Sequence, residues 1–435
     1  MLQAETTSRV DARIAAAQAA GAAPSLILGV VRDGRLAHVA AAGTAPAPDP
    51  DTQYRIGSIS KTMTAALVLR LRDAGRLALD DPLEKHLPGT PVGAVTLRQL
   101  LGHASGLQRE PDSDGWWERV DGPDLAGLVA GLTPEKLAHR PQTVYHYSNL
   151  AYGLLGGALE RLTGASWWAQ VRSGLLEPLG MTRTTYQATE PFARGYVVHP
   201  WNGTLREEPR TDTGAMAPAG QLWSTTADLA RWAAFLADPD PAVLAPETLA
   251  EMCLPVIMSE PDTWAHGHGL GIELARSGDR VYAGHGGSMP GYVATISVHR
   301  PSRTGVVGYA NCYGLREGHL GQLGVEILDL VLDADPPAPT EPWRPAGAAP
   351  DDVADLLGRW WWMGREYEVS WDGELVFAPP GRPAWRFTRA GADRWRCHTG
   401  QNDGEILTVR RDAAGRPDTV DIATFVFTRD PDRVE

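Results

Sequence analysis

The residues best suited to chemistry are a serine and a lysine three positions apart, Ser58 and Lys61. The chain has only three lysines among its 40 lysine and arginine residues, so a lysine is an unusual choice of cation here. Arginine keeps its proton in proteins, whereas lysine becomes a base once burial or a neighbouring cation lowers its pKa. The sequence therefore predicts that Lys61 activates the Ser58 hydroxyl as a nucleophile. The alternative is an ordinary surface lysine, as we expect for Lys85 and Lys136.

Two further segments carry groups that could assist this pair. Tyr147 and Asn149 are two residues apart, so in an extended loop their side chains point the same way. A phenol beside a cationic lysine can ionise and relay a proton. In the second segment, His285 is followed by two glycines and Ser288, and this pattern leaves room for a substrate backbone. The backbone N–H groups of Ser58 and Ser288 are the predicted donors to an oxyanion.

The three motifs, S-x-x-K at 58–61, Y-x-N at 147–149 and H-x-G at 285–287, come in one order along the chain. In order and spacing they resemble the serine β-lactamase and penicillin-binding-protein superfamily, in the version seen in class C β-lactamases, family esterases, D-aminopeptidases and D,D-peptidases. One departure is Pro-Gln at 141–142, where Pro-Gly is usual; it removes no reacting group.

The resemblance implies a role for each matching residue. Ser58 attacks a carbonyl and forms an acyl-enzyme, and Lys61 and Tyr147 share the role of general base, without the sequence deciding which of them takes the proton. Asn149 and His285 hold substrate and the proton network. The glycines that follow the histidine, Gly286 and Gly287, are predicted to contact substrate.

Four more residues are predicted to contact substrate. Trp116 and Trp117 lie between the serine and tyrosine motifs, where they could form an aromatic wall over the cleft or simply pack in a loop. Trp223 belongs to a segment that also resembles the family. Arg429, near the chain end, is a candidate for holding a substrate carboxylate, although a solvated arginine at a strand end is the alternative.

The composition excludes several classes of protein. A net charge of −13 argues against a nucleic-acid surface and against adhesion to anionic membranes. The N-terminal sequence lacks the basic and apolar regions of a secretory signal, and three scattered cysteines fit a reducing compartment, so we expect a cytoplasmic protein. We predict no cofactor and no metal site, because the His266-x-His268 spacing has no evident third ligand nearby.

The pattern of elements predicts an α+β fold in three parts. Residues 1–335 are expected to form a β-lactamase/transpeptidase-like domain, with an antiparallel sheet built from both chain ends, flanking helices and a helical subdomain. Residues 336–350 form a Pro/Ala-rich linker. Residues 351–435 carry short alternating strands, which predict a small lipocalin-like β-barrel.

The predicted partner is a small-molecule or peptide acyl substrate, and neither nucleic acid nor membrane. A catalytic domain followed by a small β-domain resembles the penicillin-binding-protein-type thioesterases, which take a peptidyl thioester from a carrier protein and cyclise or release the nonribosomal peptide. One alternative is a cytosolic esterase or D-amino-acid peptidase of the same family. An alternative of another class is an acyl-binding sensor or scaffold with little turnover.

Overall fold

The computed structural model describes residues 2–44, 48–316, 318–336 and 347–433. The chain divides into two compact units, with the boundary beside residue 337. Most of the predicted linker lies outside the described residues, and the three predicted domain ranges remain predictions.

The first unit contains one large sheet and two small ones, and the second unit contains a barrel. The strands are β1 (Ser25–Arg32), β2 (Arg35–Gly43), β3 (Tyr54–Arg55), β4 (Tyr196–Val198), β5 (Leu205–Glu207), β6 (Trp223–Ser224), β7 (Ile257–Met258), β8 (His266–His268), β9 (Glu273–Ser277), β10 (Arg280–Met289), β11 (Tyr292–His299), β12 (Thr304–Ala310), β13 (Gly358–Trp362), β14 (Arg365–Trp371), β15 (Leu375–Ala378), β16 (Trp385–Gly391), β17 (Arg394–Cys397), β18 (Ile406–Arg411), β19 (Pro417–Ile422) and β20 (Phe425–Thr428).

The large sheet joins the two ends of the first unit, as predicted. Its order is β2-β1-β12-β11-β10-β9-β8-β7, and every neighbouring pair is antiparallel. The β1–β2 hairpin turns at Asp33 and Gly34, both with positive φ, which is the geometry of a two-residue Asp-Gly turn. Strand β10 lies inside the sheet and pairs with β9 as far as Gly284 and with β11 as far as Met289, so the histidine motif at 285–287 is paired on the β11 side.

Helices cover both faces of this sheet. The described helices are α1 (Ala4–Gly21), α2 (Ser60–Asp73), α3 (Leu83–His86), α4 (Leu97–Leu101), α5 (Leu125–Ala130), α6 (Asn149–Thr163), α7 (Trp167–Val171), α8 (Ala217–Gly220), α9 (Thr226–Ala237), α10 (Pro246–Met252) and α11 (Leu320–Ala334) in the first unit and α12 (Asp351–Ala354) in the second. Helices α1 and α11 pack on one face of the sheet and α9 packs on the other. None of the helices in the described ranges is long and apolar enough to cross a bilayer.

The alternation of side chains along β1 explains why both faces are covered. Leu26, Leu28 and Val30 belong to the core that α1 and α11 share, whereas Ile27 and Val31 belong to the core beneath α9 and the helical region. Successive residues of a strand point to opposite faces, so an apolar run such as β1 needs a layer on each side. The predicted sheet with flanking helices is confirmed.

The second unit is a closed antiparallel barrel of eight strands, β13 to β20, which confirms the predicted barrel. Aromatic rings fill its interior: Tyr367, Phe377 and Phe427 contact one another, and Tyr367 and Phe377 also contact Trp385. Trp360 on β13 is fully buried and belongs to the same core. A small barrel is filled by its own side chains in this way.

Candidate active site

The serine and the lysine meet at the start of α2. A turn of 3₁₀ helix, Gly57–Ile59, carries Ser58 and runs directly into the α-helix. Lys61 Nζ lies 2.8 Å from Ser58 Oγ and donates to the Ala219 carbonyl at 2.7 Å. Lys61 is fully buried, while Ser58 remains partly exposed. The pair therefore combines an accessible nucleophile with an amine shielded from water.

Burial sets the protonation of this amine. Loss of hydration lowers the pKa of Lys61 from 10.5 to about 7, against the opposing pull of Glu118, Glu110 and Glu273. At neutral pH a large fraction of the amine is uncharged. A neutral amine that donates to Ala219 keeps a lone pair for the Ser58 proton. Lys61 is thus a competent general base, and the alternative of an ordinary surface lysine is wrong.

Close backbone contact brings the two predicted oxyanion donors together. Gly57 has φ +50°, and a Cβ added there would lie 2.6 Å from the backbone nitrogen of Ser288. A Cβ on Gly287 would lie 2.0 Å from the Ile56 carbonyl oxygen and 3.4 Å from the nitrogen of Ser58. Only glycine allows this approach of β10 to the serine turn. The segments carrying the N–H groups of Ser58 and Ser288 therefore form one wall of the site.

The tyrosine lies against the same pair. Tyr147 is partly exposed and hydrogen-bonds Ser58, and Lys61 Nζ is 5.0 Å from its ring centroid. Desolvation raises the pKa of Tyr147 well above 10, and its hydrogen bond with Ser58 only partly offsets that rise. The phenol therefore keeps its proton at neutral pH. Of the two candidates that the sequence left open, these electrostatics favour Lys61 as the base.

Two acidic residues that were not predicted from the sequence, Glu110 and Glu118, lie near Asn149. Its side-chain nitrogen donates to both carboxylate oxygens of Glu110, at 3.0 and 2.8 Å, and the indole of Trp117 donates to the same carboxylate at 2.6 Å. Nearby Glu118 is buried, and no side-chain hydrogen bond to its carboxyl is found in the described parts of the chain. Burial, and next Glu110, raise the pKa of Glu118 to about 7. No motif marked these residues, since isolated glutamates in a loop carry no spacing signal.

His285 is buried and neutral. Its Nδ1 donates to the following carbonyl, that of Gly286, at 2.5 Å, and burial lowers its pKa to about 3. Gly286 in turn donates its backbone N–H to Glu273 at 2.9 Å. His285 Nε2 has no partner within the described structure. The ring packs 6.2 Å from the ring of Tyr147, so it borders the site as an uncharged group.

The remaining predicted contacts fall in different environments. Trp116 is 40 % exposed and meets Tyr313 edge to face at 5.2 Å, whereas Trp117 is buried on Glu110. Trp223 is 1 % exposed and packs on Tyr292, so the structure gives it a core position and corrects its assignment to substrate contact. Its ring lies between Phe192 and Tyr292, so it packs in the core.

Arg429 lies in the second unit, within the barrel. Its guanidinium donates to the backbone carbonyls of Asp355, Leu357 and Arg359 and lies 4.2 Å from the ring centroid of Trp360. These contacts hold the strand end to the segment before β13. Recognition of a substrate carboxylate by Arg429 remains a prediction, and the described contacts are those of a structural residue.

Comparison with known proteins supplies relatives for both units. The family model described as Beta-lactamase matches residues 10–323, and a domain of unknown function, DUF7586, matches residues 349–429. A human beta-lactamase-like protein is 33 % identical over 276 residues, which are 60 % of this chain and 54 % of the human protein. The chain thus spans about half the length of that relative. Penicillin-binding protein 4 of Amycolatopsis lactamdurans is 30 % identical over 359 residues, 77 % of this chain and 92 % of the relative.

Two solved structures give the likeness in three dimensions. SurE is 25 % identical with a TM-score of 0.60, and the match covers 98 % of this chain and 99 % of SurE. SurE has also been solved with D-Leu, with a TM-score of 0.58. A D-stereospecific amidohydrolase from Streptomyces sp. is 28 % identical with a TM-score of 0.61, covering 74 % of this chain and 98 % of the amidohydrolase.

Proposed function

Since the chain belongs to the beta-lactamase family, we propose that it is a serine hydrolase or acyltransferase that works through an acyl-enzyme on Ser58. The observation that carries the proposal is the 2.8 Å approach of Ser58 Oγ to the buried Lys61 amine, whose pKa is lowered to about 7. A hydroxyl beside a neutral amine is an activated nucleophile.

The geometry supports a simple sequence of steps. The Ser58 O–H bond breaks, its proton passes to Lys61 Nζ, and Oγ bonds to the substrate carbonyl carbon. The oxyanion is stabilised by the backbone N–H groups of Ser58 and Ser288. The leaving group departs with a proton that Lys61 or Tyr147 donates. Water or an amine then attacks the acyl-enzyme and restores the Ser58 hydroxyl.

The acidic pair favours substrates that carry an amine. Glu118 is a buried carboxyl that raises the pKa of Lys61. Glu110 presents a partly exposed carboxylate that accepts from Asn149 and Trp117 and pairs with Arg109 at 3.0 Å. An ammonium group placed between them would stabilise the ionised form of Glu118, which burial disfavours. The ionised Glu118 carboxylate can also accept a proton from an attacking amine. An amine is present on the acyl donor in an aminopeptidase-like reaction. It is present on the acyl acceptor in an aminolysis.

The finer proposal is a penicillin-binding-protein-type thioesterase that cyclises or releases a nonribosomal peptide held as a carrier-protein-bound thioester. Its support is the catalytic unit followed by a barrel, a plan that aligns with SurE over almost the whole chain. The second candidate is a D-amino-acid peptidase or esterase, supported by the likeness to the D-stereospecific amidohydrolase. The structure of SurE with D-Leu and the D-stereospecific amidohydrolase support a D-residue as the acyl group for the thioesterase and for the peptidase.

Labelling tests the nucleophile. The wild-type protein, the Ser58→Ala variant and a Ser60→Ala control are treated with a penicillin or a fluorophosphonate and analysed by intact mass. We expect a single adduct on wild type and Ser60→Ala and none on Ser58→Ala. An adduct on Ser58→Ala would overturn the proposal.

A matched pair of substrates separates the two candidates. Linear peptidyl thioesters that end in a D-residue or in its L-enantiomer are followed by mass spectrometry. A macrocycle from the D-substrate supports the thioesterase, and a linear acid together with fast cleavage of simple esters supports the peptidase or esterase. A stoichiometric burst without further turnover would instead support an acyl-binding sensor.

A further inference from the structure

Three histidines that the proposed chemistry does not use as bases meet behind Tyr147. His103, His268 and His285 come from the loop after α4, from β8 and from β10, and each is at most 2 % exposed. One ring nitrogen of each lies within 4.8 Å of those of the other two. In the sequence, His268 stands out only through its H-x-H spacing with His266. In the structure, His266 does not join the cluster and lies exposed beside Glu260.

The backbone partners fix which nitrogen of each ring carries the proton. His268 Nδ1 lies 3.0 Å from the Gly269 carbonyl and His285 Nδ1 lies 2.5 Å from that of Gly286, so both rings donate through Nδ1. His103 differs, because its Nδ1 accepts the backbone N–H of Ser148 at 3.0 Å. As neutral rings, His268 and His285 have a lone pair on Nε2, and His103 has an N–H there.

All three Nε2 atoms are buried without a partner within the described structure. Burial lowers the pKa of each ring, to about 4 for His268 and about 3 for His285, so the rings are neutral at physiological pH. A buried ring nitrogen without a hydrogen-bond partner destabilises the folded state. Because every Nδ1 is already engaged, Nε2 is the atom each ring has left for a shared ligand.

We propose that His103, His268 and His285 bind one internal water molecule between their Nε2 atoms. A water accepts one hydrogen bond and donates two, which matches one N–H and two lone pairs. A tetrahedral water with bonds of about 2.8 Å separates its partners by about 4.6 Å. Zinc fits the cluster less well, because a ligating histidine normally donates its other ring N–H, and His103 accepts a hydrogen bond there instead.

The water links the cluster to the reacting groups. The ring of His103 lies 4.2 Å from that of Tyr147, centroid to centroid, and His285 borders Tyr147 from another side. A shared water fixes the orientation of both rings and through them the wall against which the tyrosine packs. In the described structure, the His268 side chain contacts Gly269, His103 and His285, so it acts on the reaction as a positioning residue.

The site is tested on the wild-type protein first. A crystal structure beyond 1.8 Å resolution, collected with and without Zn²⁺ or Co²⁺ in excess, is expected to show one water within hydrogen-bond distance of the three Nε2 atoms in both. Long-range ¹H–¹⁵N spectra are expected to show the Nδ1–H tautomer for His268 and His285 and Nε2–H for His103. An anomalous peak for a metal ion bound to the three Nε2 atoms, or direct hydrogen bonds between the rings, would overturn the proposal.

Kinetics then test the positioning role, which rests on the proposed function, whereas the crystal and NMR readouts do not. His268→Gln retains an acceptor near the Nε2 position, and His268→Leu removes it. We expect His268→Leu to lower kcat about tenfold with little change in KM, His268→Gln to stay within about threefold of wild type, and the same-strand control His266→Leu to match wild type. Equal loss in the Leu and Gln variants would contradict the positioning role, even where Ser58 labelling persists.

Discussion

The cleft of the first unit and the barrel of the second bury very different groups. Behind Ser58 the chain buries an amine, the carboxyl of Glu118 and three imidazoles whose Nε2 atoms have no partner in the described structure. The barrel interior is instead packed with aromatic rings at centroid distances of 4.9–6.0 Å. Its charges pair on the outside, as Arg386 does with Asp372.

The difference in buried groups indicates what each region contributes to the protein. Burying an ionisable group without a full set of partners costs free energy, and a chain tolerates that cost where the shifted pKa is used. Aromatic packing has the opposite character, since it adds stability and offers no reacting group. The comparison assigns chemistry to the cleft and structural support to the barrel core, and substitutions in the two regions should therefore act on different observables.

The largest effect is expected at the buried amine. Lys61→Met keeps the length of the side chain but removes the base, so we expect the acylation rate of Ser58 to fall by about 10³-fold or more, without loss of stability. The rate is measured by quenched intact-mass labelling. Lys85→Met, at a lysine whose side chain is 58 % exposed, is the matched control and should leave the rate unchanged. Equal rates in wild type and Lys61→Met would remove the distinction between cleft and barrel.

A cavity in the barrel should act on stability alone. Phe387 is fully buried in the barrel core, and Phe387→Ala is expected to destabilise the barrel by about 3–5 kcal/mol. Hydrogen exchange resolved over residues 358–428 would locate the loss. Phe425→Ala, at a ring that is 41 % exposed, should change stability much less. If the folded Phe387→Ala protein acylates Ser58 far more slowly than wild type, the barrel has a part in the chemistry.

Glu118→Gln should remove one source of pH-dependent stability. The pKa of Glu118 is raised from 4.5 to about 7, so the folded state binds more protons than the unfolded state between those values, and the wild type loses stability as pH rises through that window. The Gln variant lacks this loss, which amounts to at most about 3 kcal/mol. Denaturant unfolding at pH 5 and pH 8 measures it.

The same substitution tests the amine subsite. We expect Glu118→Gln to raise KM for substrates that carry a free amine and to leave KM for N-acetylated analogues near its wild-type value. An equal change for both substrates would argue against recognition of an ammonium group by Glu118.

The smallest effect is expected at Arg429. Its three hydrogen bonds to backbone carbonyls predict that Arg429→Lys costs the barrel about 1 kcal/mol, seen as a small drop in Tm, and leaves kcat and KM unchanged. An increase in KM confined to substrates with a free carboxylate would restore the hypothesis that Arg429 binds substrate.

The fold was predictable wherever local pattern and tertiary contacts agree. Local sequence patterns mark three such elements: an apolar run at β1, an Asp-Gly pair at the β1–β2 turn, and a capping threonine before α9. The site was predictable where spacing carries chemistry, since Ser58 and Lys61 are neighbours on one helical turn.

What the sequence did not reveal depends on contacts between distant segments. Glu118 matters because folding buries it near Lys61, and the three histidines meet only when the loop after α4 packs beside β8 and β10. Trp223 shows the converse: its place in a family-like segment suggested a substrate contact, but Tyr292 covers it. The spacing of residues along the chain does not reveal which side chains folding buries or which distant segments it brings together.

The pH dependence of Ser58 acylation tests the central claim most directly. Lys61 accepts a proton only when neutral, so the rate of adduct formation should rise with pH, reach half of its plateau near pH 7 and lose that step in Lys61→Met. The measurement is intact-mass labelling with a penicillin at closely spaced pH values between 5 and 9, with Lys85→Met as control. A rate that is flat across this range in wild type, or a step near pH 7 that persists in Lys61→Met, would contradict the account.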